Sequence, residues 1–201
     1  MRSLWLPLKR VFDLLIGSAA AVASLPVVAV CAVAVKLDSP GPVLFRQRRA
    51  GLEGGEFEIF KLRTMVVGAE SIGAGAAVDD GDARITRVGG FLRRWSLDEL
   101  PNLWNVVGGE MSLVGPRPTL PEQVAEYTEH QRRRLAVRPG VTGWAQVSGR
   151  ASLPWSERIE LDIWYVENLS PLLDLKILLA TARMVFTGEG LYRGDSGGWR
   201  N

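Results

Sequence analysis

Residues 14 to 35, LLIGSAAAVASLPVVAVCAVAV, run for 22 residues between Asp13 and Lys36 without a charged side chain. At about 1.5 Å per residue a straight helix of this length reaches across the ~30 Å hydrocarbon core of a bilayer, so a membrane segment is the first reading. Pro26 lies just past the middle of the run. There it removes one backbone hydrogen bond and clashes with the carbonyl four residues back, which predicts a bend, with Ser24 offering its hydroxyl to the freed backbone groups. Arg2, Lys9 and Arg10 precede the run, and Lys36, Arg46, Arg48 and Arg49 follow it. The positive-inside rule draws both flanks to the cytoplasmic face, and both can obey only if the segment re-enters. The expectation is a helix-break-helix within residues 1-36 that dips into one leaflet, with a full span as the alternative. A cleaved secretory signal fits less well, because the run is long, lacks a small-x-small cleavage site and is followed by more basic residues.

The chain's 201 residues suffice for one ordinary domain. A hydrophobic share of 47% and a charged share of 23% describe a globular chain and exclude disorder or a polar repeat array. The net charge of +2 is mild. No Lys/Arg-rich run is interleaved with aromatics, so nucleic acid is set aside as a partner. One cysteine, Cys31, and one histidine, His130, leave no intramolecular disulfide, no Cys/His metal spacing and no Ser-His or Cys-His pair. Acid, base or nucleophile work falls to carboxylates.

Downstream of the apolar run, Val43 to Arg49 and Glu56 to Leu62 read as a β-hairpin with Gly51, Gly54 and Gly55 as turn material. Residues 67 to 82 read as a surface loop. A helix is expected from Leu97, with Leu97, Leu100, Trp104 and Val107 on one face, ending at Gly108 and Gly109. Another is expected over about Pro121 to Val137, and an apolar one from Pro171 to Phe186 with Ser170 as N-cap. The fold class is therefore α+β, mainly helical, with residues 37-187 as a cytoplasmic domain and 188-201 as a frayed tail. Trp5, Trp155 and Trp164 lie beside apolar or amphipathic stretches, as rings at a membrane interface do, although core positions suit them equally.

Ser96-Leu97-Asp98-Glu99-Leu100-Pro101 places two adjacent carboxylates in the opening turn of an expected helix, with Arg93 and Arg94 upstream. Ser96 and Glu99 fit an S-x-x-E capping box, a purely structural role. That box leaves Asp98 unused, however, and Pro101 disturbs the helix it would start. Neighbours on a helix point about 100° apart, so Asp98 and Glu99 are suited to divide roles, one attacking while the other holds a metal. Gly115-Pro116-Arg117-Pro118 is a stiff turn presenting one guanidinium, and Arg138 through Gln146 with Gly149 and Arg150 form a glycine-rich, Arg-flanked loop able to approach a phosphate. A plain surface loop explains the latter equally well. Arg132-Arg133-Arg134 reads as a solvated or membrane-facing stripe, His130 as a surface residue and Cys31 as a small apolar side chain of the membrane segment.

Taken together, these stretches resemble the bacterial sugar transferase family, monotopic phosphoglycosyl transferases that start glycan assembly on polyprenyl phosphate. The resemblance runs through Lys9-Arg10-Val11-Phe12-Asp13, the proline-broken run, Asp38 through Gln47, Lys61-Leu62-Arg63-Thr64-Met65, Ser96 through Asn105, Gly109 through Pro118 and Arg138 through Arg150. The chain looks like the catalytic-only form of that family. One departure is Leu25-Pro26, where the family often has Ser-Pro. The resemblance implies a monotopic protein with amphipathic interfacial helices on the cytoplasmic face of the bacterial inner membrane. It implies Asp98 as nucleophile, Glu99 as Mg²⁺ ligand, and Arg93, Arg117 and Arg138, with Lys61, Pro116 and Pro118, as the surroundings of phosphate or uridine. The implied reaction is ping-pong: Asp98 takes a sugar-1-phosphate from a UDP-sugar with release of UMP, and polyprenyl phosphate then receives it. The alternatives are an inactive membrane scaffold for glycan-assembly enzymes and a metal-dependent nucleotide-sugar hydrolase. Sugar identity, glycan pathway and oligomeric state have no signature in the sequence.

Overall fold

The computed structural model describes residues 2–71, 81–149 and 152–187; the expected tail at 188–201, residues 72–80 of the expected loop, and Arg150 lie outside the described residues. Arg2–Asp38 form a single α-helix, α1, which continues through Pro7 and Pro26. The expected interruption at Pro26 is thus absent from the helical assignment. Proline withdraws only one donor there, and the Ser24 hydroxyl donates to the Ala21 carbonyl at 2.9 Å on the same turn.

The helix is buried along a narrow stripe. Lys9, Asp13, Gly17 and Ala21, four residues apart, and Cys31 and Val35 beyond them face the protein, whereas Leu15, Val22, Val30 and Leu37 are exposed. At the N-terminal end of the stripe the contacts are polar. Lys9 pairs with Asp174 at 2.7 Å, the Asp13 carboxylate accepts the Leu113 N–H at 2.9 Å, and Arg10 donates to the Val106 and Val107 carbonyls at 2.7 and 3.1 Å. At the other end, Cys31 and Val35 pack with Leu62 and Leu92. Cys31 therefore faces the protein. From Val22 to Val30, between the two attachments, no residue is buried.

The hairpin forms as expected, with β1 (Leu44–Ala50) and β2 (Glu56–Leu62) paired antiparallel from Leu44 opposite Leu62 to Ala50 opposite Glu56. The helix α2 (Arg87–Arg94) follows, with the Thr86 hydroxyl accepting the Gly89 N–H at 3.0 Å as its N-cap. Gly89 is needed for the approach of α2 to Thr64, since a Cβ there would lie 2.0 Å from the Thr64 carbonyl oxygen. The next helix, α3 (Asn102–Gly108), ends at Gly109 with φ 93°, the left-handed residue that the Gly108-Gly109 stop signal implies. Asn105 of α3 is wholly buried against the hairpin, donating to the Glu58 carbonyl at 2.7 Å while its own carbonyl accepts the Phe60 N–H at 3.4 Å.

Two short parallel strands, β3 (Ser112–Val114) and β4 (Gly140–Thr142), make a second sheet. Between them the single helix expected over 121 to 137 is divided into α4 (Pro121–Ala125), α5 (Glu129–Arg132) and a 3₁₀ turn, Arg133–Ala136. The division has a local cause: Thr128 and Gln131 form a reciprocal capping box that starts a new helix inside the expected one. The chain then makes α6 (Trp144–Val147), α7 (Trp155–Glu167) and α8 (Pro171–Thr187), the last begun as expected, with the Ser170 hydroxyl accepting the Leu173 N–H at 3.3 Å. Trp155 belongs to the core beside Ile159 and Ile163, whereas Trp164 is exposed and packs on Trp144. Leu172, Leu175, Leu179 and Phe186 give α8 an exposed apolar face.

Candidate active site

The Asp98-Glu99 pair stands on a tight turn rather than inside a helix. Ser96 adopts the left-handed conformation, φ 53°, so it lacks the extended backbone of an N-cap, and it does not cap the 3₁₀ turn Leu97–Glu99 that follows. The expected capping box is therefore not made. Pro101 then precedes α3, and the helical period restarts there: Asn102, Leu103, Asn105 and Val106 are buried, while Trp104, expected on the inner face, is 47% exposed. A non-glycine residue held at positive φ is strained, and such strain gathers at functional sites.

Freed from capping, Glu99 receives two cations on one oxygen. Lys61 of β2 donates to its Oε1 at 2.6 Å and Arg117 at 2.9 Å. Burial alone would raise the Glu99 carboxyl, but the Arg117 and Lys61 charges hold it well below the usual carboxylate range. Among the described residues both hydrogen bonds to Glu99 fall on Oε1, and none reaches the Asp98 carboxylate. Burial and the Glu99 charge push Asp98 up from its ordinary value, against the pull of Lys61, Arg93 and Arg117. Burial draws the Lys61 ammonium down, and the Glu99 charge offsets only part of this. The two neighbouring carboxylates are thus driven apart in acidity, the arrangement in which each takes a different role.

The surrounding cations are placed by backbone. Arg93, at the end of α2, donates through Nε to the Thr64 hydroxyl at 2.8 Å. Arg117 rides on a segment pinned at both ends, with the Pro116 carbonyl accepting the Gly140 N–H at 2.9 Å, the Pro118 carbonyl accepting from Arg49 at 3.3 Å, and the Ala50 N–H donating to the Thr119 carbonyl at 2.8 Å. Pro116 and Pro118 thus act through their rings and carbonyls, as the frame of Arg117. The segment meets the second expected phosphate loop through glycines: a Cβ on Gly115, Gly140 or Gly143 would lie 2.4, 2.1 or 2.1 Å from backbone atoms of the other loop. Arg138 is not brought to the carboxylates. Its Nε donates to the Gly109 carbonyl at 2.7 Å, just past the C-terminal end of α3, and among the described residues no hydrogen bond or ion pair joins it to Asp98 or Glu99.

The expected Arg132-Arg133-Arg134 stripe also dissolves. Arg132 is exposed and Arg133 pairs with Glu167, but Arg134 is 3% exposed and paired with Asp162 inside the protein. His130 is exposed, as expected, and meets Glu160 at 3.0 Å. Thr64 and Asn105 lie within stretches that carry the family resemblance but have no role of their own assigned there, and Arg134 and Asp162 carry no sequence signal as site-building residues.

From Glu99 and Ser96 a cleft of about 110 Å³ opens over Leu100, Leu103, Val141 and Met184. Cations beside a low-acidity and a high-acidity carboxylate suit a phosphate-bearing ligand, since charge-assisted donors converge there. No group of three or more His, Cys, Asp and Glu side chains placed to hold a metal ion exists among the described residues. A dedicated protein cage for a metal is thus absent from them, whereas Mg²⁺ is commonly held by one or two carboxylates with substrate phosphates and water, and the Glu99 oxygen left without a hydrogen bond fits that donor set.

Comparison with known proteins gives this geometry a context. The sequence model of the family described as bacterial sugar transferase matches residues 4–188. The uncharacterized sugar transferase EpsL of Bacillus subtilis (strain 168) is 44% identical over 184 residues, 92% of this chain and 90% of that protein. A UDP-glucose:undecaprenyl-phosphate glucose-1-phosphate transferase of Xanthomonas campestris pv. campestris is 45% identical over 175 residues, 83% of this chain and 36% of the relative. A UDP-N-acetylgalactosamine-undecaprenyl-phosphate N-acetylgalactosaminephosphotransferase of Aeromonas hydrophila is 42% identical over 189 residues, 91% and 44% respectively. The chain spans less than half the length of these last two.

Proposed function

The chain belongs to the bacterial sugar transferase family, and from that premise we propose that it is a phosphotransferase moving a sugar-1-phosphate from a UDP-sugar to undecaprenyl phosphate, with release of UMP. The observation that carries this reading is the ionised Glu99 clamped by Lys61 and Arg117 beside Asp98, which accepts no hydrogen bond from the described residues. An ionised carboxylate that lacks hydrogen bonds and is poorly solvated is a ready nucleophile. In the proposed first step an Asp98 oxygen bonds to the phosphorus carrying the sugar, and the bond from that phosphorus to the bridging oxygen breaks, so that UMP leaves with the electron pair. In the second, a phosphate oxygen of undecaprenyl phosphate attacks the same phosphorus and Asp98 departs, giving a polyprenyl diphosphate-sugar. Arg117, Lys61 and Arg93 bind the diphosphate and hold it in line. Mg²⁺ on Glu99 would neutralise charge that a carboxylate and a diphosphate bring together.

The membrane placement belongs to the same proposal. α1 is long and apolar enough to cross a membrane by length and composition. Both its ends are tied to the same domain, and between Val22 and Val30 no residue is buried, with Val28 alone of that stretch packing on the Cys31 and Val35 cluster. This supports a re-entrant segment with the domain on the cytoplasmic face of the bacterial inner membrane, where a soluble donor and the acceptor's headgroup meet.

Intact-protein mass spectrometry of the detergent-purified chain with Mg²⁺ and individual UDP-sugars, without lipid acceptor, tests the covalent step. The expected result is a sugar-phosphate mass increment with one or two donors, absent from Asp98→Asn and discharged by undecaprenyl phosphate. UMP release that depends on acceptor without any adduct would replace it with direct transfer, and multiple-turnover UMP release in the absence of lipid would establish a hydrolase.

A further inference from the structure

Arg134, the last residue of the basic run, is buried and reaches the backbone of the segment that carries Arg117. Its Nη1 donates to the Tyr127 hydroxyl at 2.6 Å, and its Nη2 both pairs with buried Asp162 and donates to the Arg117 carbonyl at 3.0 Å. The rings of Trp155 and Tyr127 stand 5.8 and 5.9 Å from its guanidinium carbon. A cation so deeply buried is costly unless its donors are used. Neutralising Asp162 would require only a point charge, which lysine also supplies. Reaching a phenol, a carboxylate and a main-chain carbonyl at once from a fixed plane requires the guanidinium fork.

The carbonyl it reaches matters most. Pro116 and Pro118 fix φ on either side of Arg117, and Pro118 restricts the backbone of the residue before it. Their carbonyls are held by Gly140 and Arg49. The Arg117 carbonyl, between them, is held by Arg134. From that same residue the side chain, 48% exposed, leaves for Glu99 at 2.9 Å. We infer that Arg134 is a positioning residue for the transfer reaction: buried on Asp162 and Tyr127, it locks the Arg117 peptide so that the Arg117 guanidinium is aimed at Glu99 and at the phosphate of the donor. This rests on the transferase reading for its functional readout, but its structural content stands apart from it.

The test compares the full chain in nanodiscs with Arg134→Lys, Tyr127→Phe, Arg117→Ala and the double variant Arg117→Ala/Arg134→Lys, using UDP-glucose or UDP-N-acetylgalactosamine as donor and undecaprenyl phosphate as acceptor. Arg134→Lys, which keeps the charge on Asp162, is expected to lower kcat/KM for the donor about 10- to 100-fold, as small misplacements of a positioned group do. The double variant is expected to be no worse than Arg117→Ala alone, because Arg134 acts through Arg117. Losses that multiply in the double variant would mark Arg134 as a merely structural residue and overturn the proposal. If Arg134→Lys does not fold, Tyr127→Phe, which removes only one acceptor of the fork, carries the comparison in its place. A readout independent of activity is the ¹⁵Nε resonance of Arg117 in the purified chain, assigned by its loss in Arg117→Ala. It is expected to be dispersed in the parent and to move to the free-arginine position in Arg134→Lys or Tyr127→Phe. An unchanged resonance in both overturns the proposal. A parent that transfers no sugar phosphate from any UDP-sugar would remove the transferase reading and leave the Arg117 resonance to decide on Arg134.

Discussion

At Asp98 and Glu99, neighbouring carboxylates carry opposite electrostatic strain, and opposite effects of neutralising them follow. Asp98 is raised in the folded state, so its ionised form is penalised there. That penalty is present at neutral pH and vanishes where the carboxyl is protonated in both the folded and unfolded chain. Asp98→Asn is therefore expected to raise Tm at pH 7 while abolishing the adduct, with the gain fading as pH falls toward about 4, the ordinary Asp value. A lower Tm at pH 7 would contradict the burial that drives the shift. Glu99 is depressed, so it stabilises the fold above its unfolded value, near 4.5, and that contribution is lost as pH falls through the folded value. Glu99→Gln leaves Lys61 and Arg117 facing each other, and its expected destabilisation is about 2 kcal/mol at pH 7, read by thermal unfolding and declining in acid. In the proposed reaction the acid limb of activity lies above the ordinary Asp value, because Asp98 must ionise, and the alkaline limb lies below the ordinary Lys value, because buried Lys61 loses its proton early. The adjacency of the two carboxylates gives the expectation that they differ, and their opposite shifts agree with it. Their real neighbours were not: Lys61 comes from a strand and Arg117 from a proline-framed segment, while Arg138, equally suggestive in sequence, is taken by the Gly109 carbonyl. Which basic side chain arrives depends on chain reversals that local spacing does not encode.

The elements were legible wherever the pattern was long or punctuated. The hairpin, the Ser170-Pro171 helix start and the Gly109 helix stop all stand where turn and cap chemistry put them. Errors arose where two local signals competed. The Ser96 capping box lost to Pro101, which started its own helix, and the helical pattern over 121 to 137 lost to the internal box at Thr128 and Gln131. The contact between α1 and α3 was invisible, because nothing in the apolar run distinguishes the side that meets protein from the side that does not. Gly17 is the key to that contact, since a Cβ there would sit 2.9 Å from Val106 Cγ1. Gly17→Leu is expected to destabilise the chain by about 1–3 kcal/mol through overpacking. Thermal unfolding in detergent measures it, and a neutral result would show that α1 does not rest on α3 in the folded protein.

For the molecule as a whole, re-entrance makes a topological claim. With Cys31 replaced by Ser, single cysteines introduced by Arg2→Cys and Leu37→Cys are both expected to resist an impermeant maleimide added to intact cells and to react after lysis; labelling of Arg2→Cys alone from outside would establish a full crossing. The basic flanks of the apolar run point to re-entrance from the amino-acid sequence alone, but Lys9 and Arg10 turn out to be spent on Asp174 and the end of α3, so charges that the positive-inside argument counts also hold the helix to the domain. The two crossing loops at Gly115, Gly140 and Gly143 separate two kinds of selection. Backbone atoms within 2.4 Å of each missing Cβ leave no room for another residue, whatever the protein is asked to do. Asp98 is the reverse, a residue whose charge burial and Glu99 oppose and whose loss is expected to stabilise the fold. A library of variants sorted for folding alone should keep those three glycines and shed Asp98, whereas one sorted for sugar-phosphate transfer should keep all four. A descendant that had abandoned chemistry would thus betray itself first at Asp98, with its glycines intact.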